Sequence, residues 1–179
     1  MPTSKPISRP RLPANRRVGI RGGGRLLTAS GVLSILGIAV AAYLTVVHYR
    51  ADLLVCGVSG GCHTVQSSSY AMVAGIPIAI LGLGMYITLL LLTGVRFKRP
   101  EWIVSATYGA FAIALAGVAY AIYLTYVELF VIDAICQWCV MSAVITTFIC
   151  IVEGVAVWRL LDVEMSEEEK ATGVQSLSL

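Results

Sequence analysis

The run LLTASGVLSILGIAVAAYLTVV, residues 26–47, carries no charged side chain and decides what kind of fold this chain can have. A hydrocarbon core about 30 Å thick is crossed by roughly 20 apolar residues in helical conformation. This run is long enough, and three more follow it. Residues 64–95 and 102–127 are free of charge, and 134–161 hold only Glu153 and Arg159. The 179 residues are 58% hydrophobic and 13% charged, with a mean hydropathy of +0.84, outside the range of a soluble domain. The expected architecture is all-α: a polytopic membrane four-helix bundle over residues 25–161, with spans at about 26–47, 75–95, 102–127 and 135–158. Residues 1–24, with four prolines and three consecutive glycines, read as a disordered basic segment. Residues 162–179 read as a tail that extends the last helix by a turn or two and ends in a polar, unstructured stretch. A cleaved signal peptide ending at Ala39-Val40-Ala41 is the competing reading of the start. The apolar run continues past that site to Val47, which favours a span.

Basic residues orient the bundle. Lys5, Arg9, Arg11, Arg16, Arg17, Arg21 and Arg25 precede the first span, and Arg96, Lys98 and Arg99 fill the connection between the second and third. Cytoplasmic loops carry the Lys/Arg excess, so both termini and the second connection are expected in the cytoplasm of a multi-pass inner (cytoplasmic) membrane protein. The net charge of +3 is this inside bias. The basic arm is read as a topology determinant, with no nucleic-acid partner.

That orientation places four of the five cysteines on the extracytoplasmic side, where disulfide chemistry is permitted. Cys56 and Cys62 lie in the first outer loop, in a Gly-rich segment able to close a disulfide and also to open and swing. Cys136 and Cys139 form a C-x-x-C at the mouth of the last span. Free N–H groups and the positive end of the helix dipole favour a thiolate there. Two dithiols on one face suggest a shuttle that passes electrons from pair to pair. A disulfide-stapled structural membrane protein and a zinc-binding scaffold built on the four cysteines are the alternatives. No metal is expected, since nothing in the flanking loop calls for tetrahedral ligation at a lipid boundary. Cys150, about 16 Å deeper along the helix, reads as an inert small hydrophobe.

Among the other polar residues, Trp138 reads as an interfacial anchor. Glu153 is expected to reach the interface near Arg159, without a role. His48 and His63, which flank the outer loop, read as solvated histidines. Gly31, Gly37, Gly109 and Gly117 suit close helix packing.

The loop cysteines separated by five residues, the Cys62-x5-Ser68 spacing, the Gly75-Ile76-Pro77 lead-in to the second span, Gly82 and Tyr86 within it, and the C-x-x-C opening the fourth span together resemble the vitamin K epoxide reductase family, in particular its bacterial members. The resemblance covers about residues 26–158. DsbB proteins do similar work but place the C-x-x-C in the first outer loop, the reverse of the order here. The resemblance implies a quinone-dependent, disulfide-generating oxidoreductase. In that reading Cys56 exchanges with a partner's thiols, Cys62 relays to Cys136, and Cys139 and Ser68 lie next to a membrane quinone, menaquinone or ubiquinone. Two positions depart from the vertebrate pattern that the resemblance brings with it: Ile78 stands where an asparagine contacts the quinone oxygen, and Ala143 stands where a tyrosine follows the last active cysteine by four residues. Quinone reduction coupled to disulfide formation is therefore expected ahead of epoxide reduction. Many bacterial members carry a fused thioredoxin-like domain. The chain ends without one, so the resemblance implies a separate DsbA-like thioredoxin-fold partner.

Overall fold

The computed structural model describes residues 14–57 and 61–176. Expectations for residues 1–13, for Gly60 in the cysteine loop and for the last three residues lie outside the described residues. Four long helices carry the chain: α1 (Ala14–Tyr49), α3 (Ile78–Lys98), α4 (Ile103–Phe130) and α5 (Gln137–Ser176). Between the first two stand the short helix α2 (Gly61–Ser67) and a two-residue hairpin, β1 (Met72–Val73) with β2 (Ile76–Pro77). The four long helices contain apolar stretches able to cross a membrane, at Gly24–Tyr49, Ile78–Lys98, Ile103–Phe130 and Gln137–Ser166. The all-α, four-span expectation therefore holds.

The boundaries shift where local chemistry competes with hydropathy. The second span begins at Ile78, because Ile76 and Pro77 pair with Val73 and Met72 across a tight turn. That turn puts Ala74 at φ 49° and Gly75 at φ 81°, the left-handed conformation that hairpin turns of this length require. At the N-terminus α1 starts at Ala14, within the segment expected to lack structure, and α5 continues to Ser176. Once an apolar span is helical, extension costs no new nucleus, and the alanine, arginine and glutamate that flank these spans are good helix formers.

The helices pack in a ring. α1 touches α3 and α5, and α4 completes the ring against the same two neighbours. Tyr86, Leu89 and Ile149 fill the centre, with no exposed surface. Tyr86 fits because Gly37 faces its ring, where any side chain on α1 would collide with it. Gly117 does the same for Met85 and Thr146. Gly31 and Gly109 meet their neighbours at ordinary van der Waals distance, so only two of the four glycines expected to allow close packing are needed for it.

Polar side chains bridge α3 and α5 at two levels. Tyr86 Oη shares hydrogen bonds with Ser142 Oγ (2.9 Å) and Thr146 Oγ1 (2.7 Å) and donates to the Ser142 carbonyl at 3.0 Å. Nearer the end remote from the cysteines, Arg96 donates to both carboxylate oxygens of Glu153, at 2.7 and 2.8 Å, and Ser30 Oγ adds a bond of 2.6 Å from α1. This corrects the expectation for Glu153. It is fully buried and paired with Arg96, which is itself buried, while Arg159 is exposed. A carboxylate on the inner face of a bundle has no water to reach, and only a cation aimed into the same space offsets its desolvation.

Candidate active site at the cysteine end of the bundle

The four cysteines of the two expected pairs meet. Cys62 and Cys136, both fully buried, form one apolar cluster with Val65, and Cys56 and Cys139 pack against it. All five cysteines are free thiols. α2 creates the meeting by presenting Cys62 and Val65, three residues apart and so on one face, toward α5, while His63 and Thr64 are exposed. Gly61 permits the approach: a Cβ there would lie 2.6 Å from the Ile135 carbonyl oxygen. Gly61 thus serves close contact between α2 and the segment before α5.

The segment before α2 is fastened on both sides. Tyr43 Oη donates to the Leu53 carbonyl at 3.2 Å and accepts the Val55 N–H at 2.9 Å. Trp138 Nε1 donates to the Val55 carbonyl at 3.0 Å and its ring lies 4.6 Å from that of Tyr43. Gln137 Oε1 accepts the Gly57 N–H at 3.2 Å. The two residues inside the C-x-x-C thus hold the strand that carries Cys56. Trp138, read from sequence as a lipid anchor, faces the protein because position 138 of the first α5 turn points at Tyr43 on α1.

Cys136 is the N-cap of α5. Its carbonyl accepts the Val140 N–H at 3.0 Å, and its sulfur lies where the Trp138 and Cys139 N–H groups donate. Those are the amides that a serine or aspartate cap would satisfy. The Cys136 thiol is lowered to about 7, first by its hydrogen bond with the Cys139 side chain; burial opposes this, and the two backbone N–H groups assist. Cys62 moves the other way, to about 12, because burial and a hydrogen bond with Cys56 outweigh one donated by the Gln137 N–H. The N–H groups of the helix start act on Cys136 in the direction expected from sequence, behind the Cys139 side chain.

A cavity of about 300 Å³ lies beneath, walled by all four long helices and roofed by α2 and the residues after it. Cys139 and Ser68 both line it, as do Ile78 and Ala143. Those last two positions are apolar. The Ser68 hydroxyl already donates to the Val65 carbonyl at 2.7 Å, so its proton is committed to the backbone of α2. His48 also lines the cavity, whereas His63 is exposed. Cys150 packs in the central core away from the thiols.

Sequence reasoning missed Glu128. It closes the last turn of α4, is 5% exposed, and accepts the Cys136 N–H at 3.1 Å on Oε2. Its carboxyl also reaches the Cys139 thiol. The available signal was an acid directly after a charge-free span, eight residues before Cys136.

A helical membrane bundle with two dithiols in contact at one end is a membrane thiol oxidoreductase. The family profile described as the vitamin K epoxide reductase family matches residues 28–153, and the chain belongs to that family. The comparison with curated proteins gives no match.

Proposed function

We propose that the protein generates disulfides by carrying electrons from a DsbA-like thioredoxin-fold thiol oxidase to a membrane quinone, menaquinone or ubiquinone. The observation that carries this reading is the unbroken path from half-buried Cys56, through buried Cys62 and Cys136, to Cys139 on the wall of the cavity. The orientation read from the basic residues would put this end outside the cell membrane and both termini in the cytoplasm.

The residues present fit a quinone. The cavity is at the lower limit of the roughly 300–1,000 Å³ typical of ligand sites, mostly apolar with a few convergent polar groups. When bound, a quinone supplies a two-electron, two-proton acceptor whose driving force belongs to the cofactor and not to the protein. Cys56 takes the partner's electrons by thiol–disulfide exchange, Cys62 attacks Cys136, and Cys139 is released as the sulfur facing the cavity. The sulfur chemistry supports that direction. N–H groups that stabilise the Cys136 thiolate stabilise the reduced helix pair and so make it the stronger oxidant. Cys62, pushed up to about 12, has one such N–H, from Gln137, which burial and the bond with Cys56 outweigh. Ser68 could turn its hydroxyl from Val65 toward a bound carbonyl.

The alternatives gain less support. A staple has no need of a cavity beside the second pair. The test is quinone-dependent oxidation of a reduced DsbA-like protein by the purified enzyme. Cys136→Ala and Cys139→Ala should abolish it and Cys150→Ala should leave it intact. Full turnover in Cys139→Ala would overturn the assignment.

A further inference from the structure

Glu128 is the one carboxylate that lines the cavity among the described residues. It is almost wholly buried at the end of an apolar helix and has one backbone hydrogen bond, from Cys136, together with its contact to the Cys139 thiol. An ionisable group in such a place is expensive. The bond to the Cys136 N–H alone does not require it, because a neutral amide would accept that proton at lower cost. We propose that Glu128 is the proton acceptor for Cys139, taking the Sγ proton through its carboxylate and passing it to the electron acceptor in the cavity.

The step balances. The Cys139 S–H bond breaks and an O–H bond forms on Glu128. The Cys136–Cys139 disulfide then forms and releases two electrons. The proton held on Glu128 and the one from the Cys136 thiol make up the hydrogen pair that converts a quinone to its quinol. The proton's destination rests on the quinone reading; its origin at Cys139 does not. The titratable side chains around the same space are His48 on α1, Tyr70 after α2, Tyr86 on α3, Tyr120 on α4 and the two cysteines of α5. Of the protein groups named here, Glu128 is the one base in contact with both cysteines of that pair.

The experiment uses the full chain, purified in detergent and reduced, as wild type, Glu128→Gln and Glu128→Asp. Glutamine keeps an oxygen for the Cys136 N–H, so the fold is retained. Iodoacetamide labelling of Cys139, read by peptide mass spectrometry across pH, is followed beside reduction of a soluble quinone. In Glu128→Gln quinone reduction should fall about 100-fold or more, the scale of a lost proton-transfer group, and Glu128→Asp should recover part of it. Labelling of Cys139 should become faster near neutral pH and that of Cys136 should not slow, because removing a nearby negative charge favours a thiolate. Slower labelling of both cysteines would mean that Glu128 only shapes the helix end, and unchanged Cys139 labelling or unchanged quinone reduction would overturn the inference outright. If wild type reduces no quinone while Glu128→Gln still speeds Cys139 selectively, the quinone reading falls and the place of Glu128 at Cys139 stands.

Discussion

Replacing Glu153 with leucine strips Arg96 of both carboxylate bonds, at 2.7 and 2.8 Å. It leaves a guanidinium that is 5% exposed, with Thr93 Oγ1 at 3.3 Å as its remaining side-chain partner. A buried charge left without its counter-ion costs about 3–5 kcal/mol. Arg96→Met should cost a similar amount, because Glu153 would keep only the 2.6 Å bond from Ser30. The double variant Arg96→Met/Glu153→Leu behaves differently. It removes both desolvation penalties, and Ser30 Oγ still has Thr93 Oγ1 at 3.4 Å. Its stability should lie within about 1–2 kcal/mol of wild type, as when apolar residues replace a whole buried pair. The coupling between the two sites is therefore at least about 3 kcal/mol. Reversible denaturant unfolding in mixed micelles measures it, all four proteins being compared at one lipid-to-detergent ratio. Single variants each costing under about 1 kcal/mol, the value of an exposed pair, would show that the pair is hydrated. Strict additivity in the double variant would show that the two residues do not depend on each other.

Two further predictions concern the thiols. In the reduced protein, alkylation of Cys136 by a small reagent should rise with pH to a midpoint near 7, while Cys62, raised to about 12, should gain reactivity by about tenfold per pH unit over roughly pH 6–9; a shared midpoint for the two would refute the asymmetry. Removing a resolving cysteine should trap the relay, because exchange proceeds through a mixed disulfide. Cys56→Ala should accumulate a Cys62–Cys136 bond and Cys62→Ala a bond between Cys56 and the partner. Non-reducing peptide mapping that found neither would return the loop to a structural disulfide.

The spans were legible because a charge-free run of sufficient length has few alternatives in water or lipid. The pairing of Cys56–Cys62 with Cys136–Cys139 followed from which side of the membrane each loop occupies. What hydropathy does not report is direction around a helix. Glu128 and Glu153 each interrupt or end an apolar run, and their meaning depends on whether that face meets lipid, water or a neighbour. Both face inward, one toward the cysteines and one toward Arg96. Trp138 was misjudged for the same reason, since a tryptophan at an interface depth can point outward to headgroups or, as here, inward to Tyr43. The start of α3 depended on the Met72–Pro77 pairing, a contact between residues that hydropathy treats as one continuous run.

A cysteine used as the cap of α5 makes the helix end sense the oxidation state of its own sulfur. A thiolate at Cys136 is a strong acceptor for the Trp138 and Cys139 amides, whereas a sulfur in a disulfide is a poor one. The difference is comparable to gaining or losing a capping side chain, about 1 kcal/mol. Gln137 and Trp138 in the first turn are the residues that grip the strand bearing Cys56. The sulfur that changes oxidation state and the two side chains that hold the segment of the outer thiol thus share one helical turn, and the inner pair and the outer thiol are parts of a single structural unit.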